Sequence, residues 1–138
     1  MMSNLDYDKQ IELRTTFNEI PKIMAYKGRL NQLFTNLIKN AIEAIHQKSK
    51  LNNELISIKT HLEKKTIHIE IKDTGVGMTE ETKKRLFEKF YSTKKKENNR
   101  GLGMIICNKI IQSHKGSLNY HSILNKGTTF TIKFPTLQ

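Results

Sequence analysis

The sequence predicts an α+β domain: a two-layer α/β sandwich with about three helices on one face of a mixed, mainly antiparallel sheet of about five strands. Three observations predict it. Apolar and polar residues alternate in Leu55–Leu62, Thr66–Lys72 and Thr128–Phe134, the period-two pattern of half-buried strands. Arg29–Gln47 repeats instead at helical spacing. Helices and hairpins come in blocks rather than in strict strand–helix alternation, which argues against a doubly wound parallel sheet.

The chain has 138 residues, enough for one domain that buries roughly two-thirds of its unfolded surface. No apolar run approaches the ~20 residues of a membrane helix, and the N-terminus lacks the signal-peptide pattern. The one cysteine, Cys107, has no internal disulfide partner. These features fit a cytoplasmic domain without membrane contact of its own, whether or not a parent protein is membrane-anchored. The net charge is +11. Aromatics do not interleave with the basic run Lys94-Lys95-Lys96, as they would on a base-stacking surface. Nucleic acid therefore ranks behind a small phosphorylated ligand.

Taken in order, residues 1–10 read as a polar stub, with the domain over 11–138. Ile11, Leu13 and Phe17 mark an edge strand, and Pro21 and Gly28 punctuate the loop after it. In Arg29–Gln47, Leu30, Leu33, Phe34, Leu37, Ile38, Ala41, Ala44 and Ile45 form one apolar face. Asn36 and Asn40 fall on its boundary, one turn apart. Their phase alone leaves cleft lining and plain surface placement equally open. Lys48–Glu54 reads as a polar loop, and Glu63-Lys64-Lys65 joins two strands as a hairpin. The second strand delivers Asp73, followed by Gly75 and Gly77, which let the backbone turn and approach a ligand. Thr79 is placed to cap a helix whose buried side is Leu86, Phe87 and Phe90. Tyr91–Arg100 is polar and basic and reads as a loop. Gly101-Leu102-Gly103 opens an apolar helix over Met104–Ser113, where backbone N–H groups and the helix dipole suit a phosphate. That helix stops at Gly116. Ser117–Ser122 and Thr128–Phe134 close the fold as strands around a turn at Asn125-Lys126-Gly127.

Five stretches then carry a resemblance in order and spacing. Asn36-Leu-Ile-Lys-Asn-Ala-Ile-Glu-Ala44 resembles an N box, and Asp73-Thr-Gly-Val-Gly-Met78 a G1 box. Leu86-Phe-Glu-Lys-Phe-Tyr-Ser-Thr-Lys94 resembles an F box, Gly101-Leu-Gly-Met104 a G2 box, and Gly127-Thr-Thr-Phe130 the short motif of the last strand. Together they resemble the Bergerat nucleotide-binding domain of the GHKL superfamily, and most of all the catalytic ATP-binding domain of bacterial sensor histidine kinases. The likeness runs from about Ile11 to Pro135.

The resemblance implies ATP and Mg²⁺ as cofactors. Asp73 would accept the exocyclic amine of adenine, with Gly75, Gly77 and Met78 beside it and Thr129 acting through a water. Asn40 would offer Mg²⁺ its amide oxygen, and Asn36 would lie by the phosphates. Gly101, Leu102, Gly103 and Met104 would bind the phosphates, and Tyr91–Arg100 would be the lid, with Lys94 or Arg100 reaching the terminal phosphates. Hydrolysing relatives carry Glu at the Asn36 position. An amide takes no proton at neutral pH, so Asn36 points to transfer of the γ-phosphate to a protein side chain.

The sequence departs from the pattern in places. Lys89 replaces a common proline, Asn99-Arg100 a common Gly-Thr, and Met104 a leucine; Tyr26-Lys27 stands where many relatives have an acidic turn. None of His46, His61, His68, His114 or His121 sits in an acceptor motif. The implied partners are therefore a separate dimerisation and histidine phosphoacceptor domain and, through it, a response regulator. Two alternatives stand beside this: a serine-directed kinase of the anti-sigma-factor type, and a nucleotide-responsive binding module without catalysis.

Overall fold

A computed structural model describes residues 11–17, 27–91 and 102–136; within these, the side chains of Phe17, Lys27, Phe87, Lys89, Phe90, Tyr91, Leu102 and Gly103 are outside the description. Five strands and three helices are described: β1 (Ile11–Phe17), α1 (Lys27–His46), β2 (Glu54–Glu63), β3 (Thr66–Asp73), α2 (Glu80–Tyr91), α3 (Leu102–Ser113), β4 (Ser117–Ile123) and β5 (Gly127–Pro135). The strand order is β1-β2-β3-β5-β4. β1 is an edge strand parallel to β2, and every other pairing is antiparallel. The mixed, mainly antiparallel sheet expected from the sequence is thus observed.

The alternation that predicted the strands decides which face is covered. Ile58, Ile67, Ile69, Ile71, Phe130, Ile132 and Phe134 point to one side and are buried. They meet Leu33, Leu37 and Ile38 of α1 and Met104, Cys107, Ile110 and Ile111 of α3 in one core. A smaller cluster of Ile11, Ala41, Ile45 and Ile56 seals the β1 end. Burying a Leu or Ile side chain contributes about 1.5–3 kcal/mol, so the zipped apolar faces supply the driving force. The other face of the sheet is polar, with Lys59, His61, Glu63 and Lys72 exposed.

α1 shows the expected division, with Gln32, Thr35, Lys39, Glu43 and His46 exposed opposite its buried stripe. α2 begins where its cap predicts: the Thr82 N–H donates to Thr79 Oγ1 at 3.1 Å, and Glu80 and Glu81 occupy the first turn, where the dipole favours them. α3 ends with the Gly116 N–H reaching the Ile111 carbonyl at 2.9 Å. Glu63 belongs to β2, so the hairpin turn is shorter than expected: only Lys64 and Lys65, both at positive φ (49° and 66°), as a two-residue turn of the primed kind needs.

Candidate nucleotide site

Asp73 is the last residue of β3 and only 4% exposed. Its Oδ1 accepts the Gly75 N–H at 2.8 Å. Burial pushes its carboxyl above the ordinary carboxylate value, and N–H groups of Gly75 and Thr128 partly offset that. A buried carboxylate with two backbone donors still has lone pairs left for an external amine.

The two glycines after it serve packing. A Cβ on Gly75 would lie 2.6 Å from Ala44 Cβ and 2.7 Å from the Ala44 carbonyl carbon. The Val76 N–H in turn donates to Ala44 O at 3.1 Å, which binds the loop to the last turns of α1. Gly77 has φ +70°, and a Cβ there would overlap the Ile123 carbonyl oxygen. On that side the Met78 N–H donates to Ser122 Oγ at 2.8 Å and the Asn125 N–H to Val76 O at 2.6 Å. The loop is thus clamped between α1 and the β4–β5 hairpin.

Asn36 and Asn40 are half-buried on the seam between α1 and α3. Asn40 Nδ2 donates to Met104 Sδ at 3.3 Å. Burial raises the Cys107 thiol, one turn further along α3, to about 11, and the nearby Asn36 amide offsets only part of that, so Cys107 stays protonated at neutral pH. Asn40 is four residues from Ala44, roughly 6 Å along the helix. One side of α1 therefore meets the loop after Asp73 at Ala44 and the first turn of α3 at Asn40. Leu102 and Gly103 open that turn. Lys94, Arg100 and Gly101, with most of the expected lid, lie outside the described residues.

Thr129 is not on the Asp73 side of the sheet. The register pairs Thr129 with Lys72 and His121, on the polar face, and pairs Asp73 with Thr128. Side chains alternate strictly along a strand, so Thr128 takes the place expected for Thr129. Thr128 is 6% exposed, and its hydroxyl lies 2.8 Å from Ser122 Oγ.

The sequence reading also missed a network behind the loop. Glu54, taken there as loop, is 2% exposed. It accepts from Lys48 Nζ at 2.7 Å, Thr74 Oγ1 at 2.8 Å and the Asn52 N–H at 2.8 Å. Lys48 Nζ also donates to the Thr74 carbonyl at 3.1 Å. Glu54 falls in phase with Ile56 and Ile58, and that parity was the available signal.

Residues 25–138 match the family described as histidine kinase-, DNA gyrase B- and HSP90-like ATPase. Sporulation kinase E of Bacillus subtilis (strain 168) is 40% identical over 121 residues, covering 88% of this chain and 16% of that protein. The signal transduction histidine-protein kinase ArlS of Staphylococcus aureus (strain USA300) is 41% identical over 137 residues, covering 96% of this chain and 29% of that protein. The chain thus spans under a third of these relatives. The solved catalytic domain of histidine kinase ThkA superposes with a TM-score of 0.74 at 28% identity, covering 97% of this chain and 84% of that one. The chain belongs to the family of histidine kinase-, DNA gyrase B- and HSP90-like ATPases, as an ATP-binding catalytic domain of the histidine-kinase type.

Proposed function

We propose that this domain transfers the γ-phosphate of Mg-ATP to a histidine on a separate dimerisation and phosphoacceptor domain of a sensor kinase, from which a response regulator is charged. The observation that carries this reading is the seam of α1 and α3. Two polar side chains that α1 brings to α3, Asn36 and Asn40, are amides. Neither can act as a base toward water at neutral pH, whereas both can orient phosphates.

Each residue has a role in this reading. Asp73 reads the adenine amine; guanine presents an acceptor there, and two acceptors repel. Asn40 spends its N–H on Met104, which leaves its amide oxygen, a hard donor suited to Mg²⁺ beside phosphate oxygens and waters. The ion would supply neutralisation of phosphate charge. The first turn of α3, at Leu102, Gly103 and Met104, turns N–H groups and the positive dipole end toward the phosphates. Lys94 or Arg100 would meet the terminal phosphates. Histidine as nucleophile brings its own lone pair, so positioning and charge compensation suffice.

Two measurements test the proposal. Calorimetric titration with a Mg-bound non-hydrolysable ATP analogue should show binding that GTP does not reproduce. Incubation with radiolabelled ATP and a supplied phosphoacceptor domain should give acid-labile phosphoprotein. Adenine-selective binding with acid-stable label instead would refute histidine transfer.

A further inference from the structure

We propose that His61, His68 and Glu63 form a binding site for one transition-metal dication of the zinc class, on the polar face of the sheet. The tight Lys64-Lys65 turn sets the register of β2 and β3 so that His61 and His68 stand directly opposite each other. The Thr136 N–H donates to the Lys65 carbonyl at 3.0 Å and holds that turn to the end of β5. The two imidazoles stack with centroids 4.6 Å apart and planes 18° from parallel. Glu63, two residues beyond His61 on the same face, places Oε2 3.5 Å from His68 Nε2. One donor atom from each of the three lies within 4.8 Å of the others.

These distances suit a shared ion. Metal–ligand bonds of about 2.0–2.1 Å in a tetrahedron set ligand atoms roughly 3.3 Å apart. The Glu63–His68 separation is close to that already. Glu63 and His61 are exposed, so small side-chain rotations close the rest. Two imidazole nitrogens and one carboxylate oxygen are a borderline donor set, which selects Zn²⁺, Cu²⁺ or Ni²⁺ over Mg²⁺ or Ca²⁺. Three protein ligands leave a fourth position for water. Lys133 pairs with His68 in the register and brings a like, positive charge to that side; its long stem lets the ammonium swing to water. Lys59 and Glu70 share the face and pair with each other.

The site is separate from the nucleotide cleft. His68 lies five residues before Asp73 on β3, roughly 17 Å along the strand. The two also point to opposite faces of the sheet. A metal here would clip the β2–β3 hairpin and stabilise the folded chain, because the folded register gathers donors that the unfolded chain leaves apart and so binds the ion more tightly.

The experiment is titration of the tag-free, metal-free 138-residue chain with Zn²⁺ by calorimetry, with Co²⁺ absorption reporting coordination. One bound Zn²⁺ per chain and a four-coordinate Co²⁺ spectrum are expected. His61→Ala and His68→Ala should each weaken Zn²⁺ roughly ten- to hundredfold, and Glu63→Gln by less. His121→Ala, on the same face but on β4, and Asp73→Asn should leave it unchanged. Retained adenine-nucleotide binding by the histidine variants, or failing that an unchanged far-ultraviolet dichroism spectrum, shows that they fold. Wild-type binding no tighter than that of the His61→Ala/His68→Ala double variant overturns the proposal. So does binding that disappears with Asp73→Asn.

Discussion

Thr74 Oγ1 donates to Glu54 Oε1 at 2.8 Å, which joins the residue after Asp73 to a buried carboxylate at the start of β2. The Leu55 N–H donates to the same Thr74 hydroxyl at 3.0 Å, and the Thr74 N–H returns to the Leu55 carbonyl at 3.1 Å. The strand end carrying Asp73 is thereby fixed from behind, with Lys48 closing the network at 2.7 Å.

That network makes stability depend on pH. Burial alone would push the Glu54 carboxyl up; bonds from Lys48, the Asn52 N–H and Thr74, with the Lys48 charge, outweigh it and hold it below the ordinary 4.5. A depressed carboxylate contributes stability that is full above its unfolded value and lost as pH falls through its folded one. Glu54→Gln should therefore cost about 1–3 kcal/mol at neutral pH. Its urea-unfolding free energy should also fall less steeply than wild type below about pH 4.5. Parallel acid profiles for the two proteins would rule out this role for Glu54.

Asp73 has the opposite sign. Its folded value is raised, mainly by burial, so its contribution is present below the unfolded value and lost as pH rises through the folded one. At neutral pH the nucleotide-free domain bears the cost of a buried carboxylate. Asp73→Asn keeps an acceptor oxygen for the Gly75 N–H. It should leave the thermal midpoint equal or higher while weakening adenine nucleotide by about 1.5–3 kcal/mol, the worth of a charge-assisted hydrogen bond. Differential scanning fluorimetry with and without Mg-nucleotide reads both. A variant that loses stability as well as binding would make Asp73 a structural group.

Much of the fold was legible because strand alternation and the α1 stripe are direct consequences of burial. The order of the five motifs also drew α1, the loop after Asp73 and the start of α3 to one place. What escaped was parity and partnership. Thr128 and Thr129 are indistinguishable as neighbours in sequence, and only the pairing of Asp73 with Thr128 separates them. Glu54 read as loop because an acid at a strand start is ordinarily solvated, and its partners Lys48 and Thr74 come from two other segments. The same holds for Ser122, which accepts the Met78 N–H from 44 residues away. Gly75 was noted for approach to a ligand, and its close approach to Ala44 was not foreseen.

Gly75→Ala tests that last point. The new Cβ would press on Ala44 Cβ at 2.6 Å, on its carbonyl carbon at 2.7 Å and on its oxygen at 2.9 Å. Two of these three are backbone, so the loop or α1 has to move, at a cost of about 1–3 kcal/mol. Removing only the side chain in Gly75→Ala/Ala44→Gly should not restore stability, because the backbone overlap stays and a helical glycine costs about 1 kcal/mol more. Chemical denaturation of the two variants decides it. Full recovery in the double variant would mean that side-chain crowding alone had mattered.

In the proposed reading, Asn40 links nucleotide binding to the divalent ion. Its Nδ2 is engaged with Met104 Sδ at 3.3 Å, across the seam from α1 to the first turn of α3. That leaves the amide oxygen for the ion which the proposed reading places there, since a hard oxygen of this kind suits Mg²⁺. Asn40→Ala should remove the Mg²⁺ dependence of nucleotide affinity and keep selectivity for adenine, which the same proposal gives to Asp73. ATP affinity with Mg²⁺ should fall about tenfold or more, equivalent to ~1.4 kcal/mol, toward the value measured in chelator, while binding in chelator stays near wild type. Asn40→Asp keeps an oxygen ligand and adds charge, so its Mg²⁺ dependence should steepen. If Asn40→Ala instead lowers affinity equally with and without Mg²⁺, Asn40 acts by holding α3 through Met104, and the ion is bound by other groups.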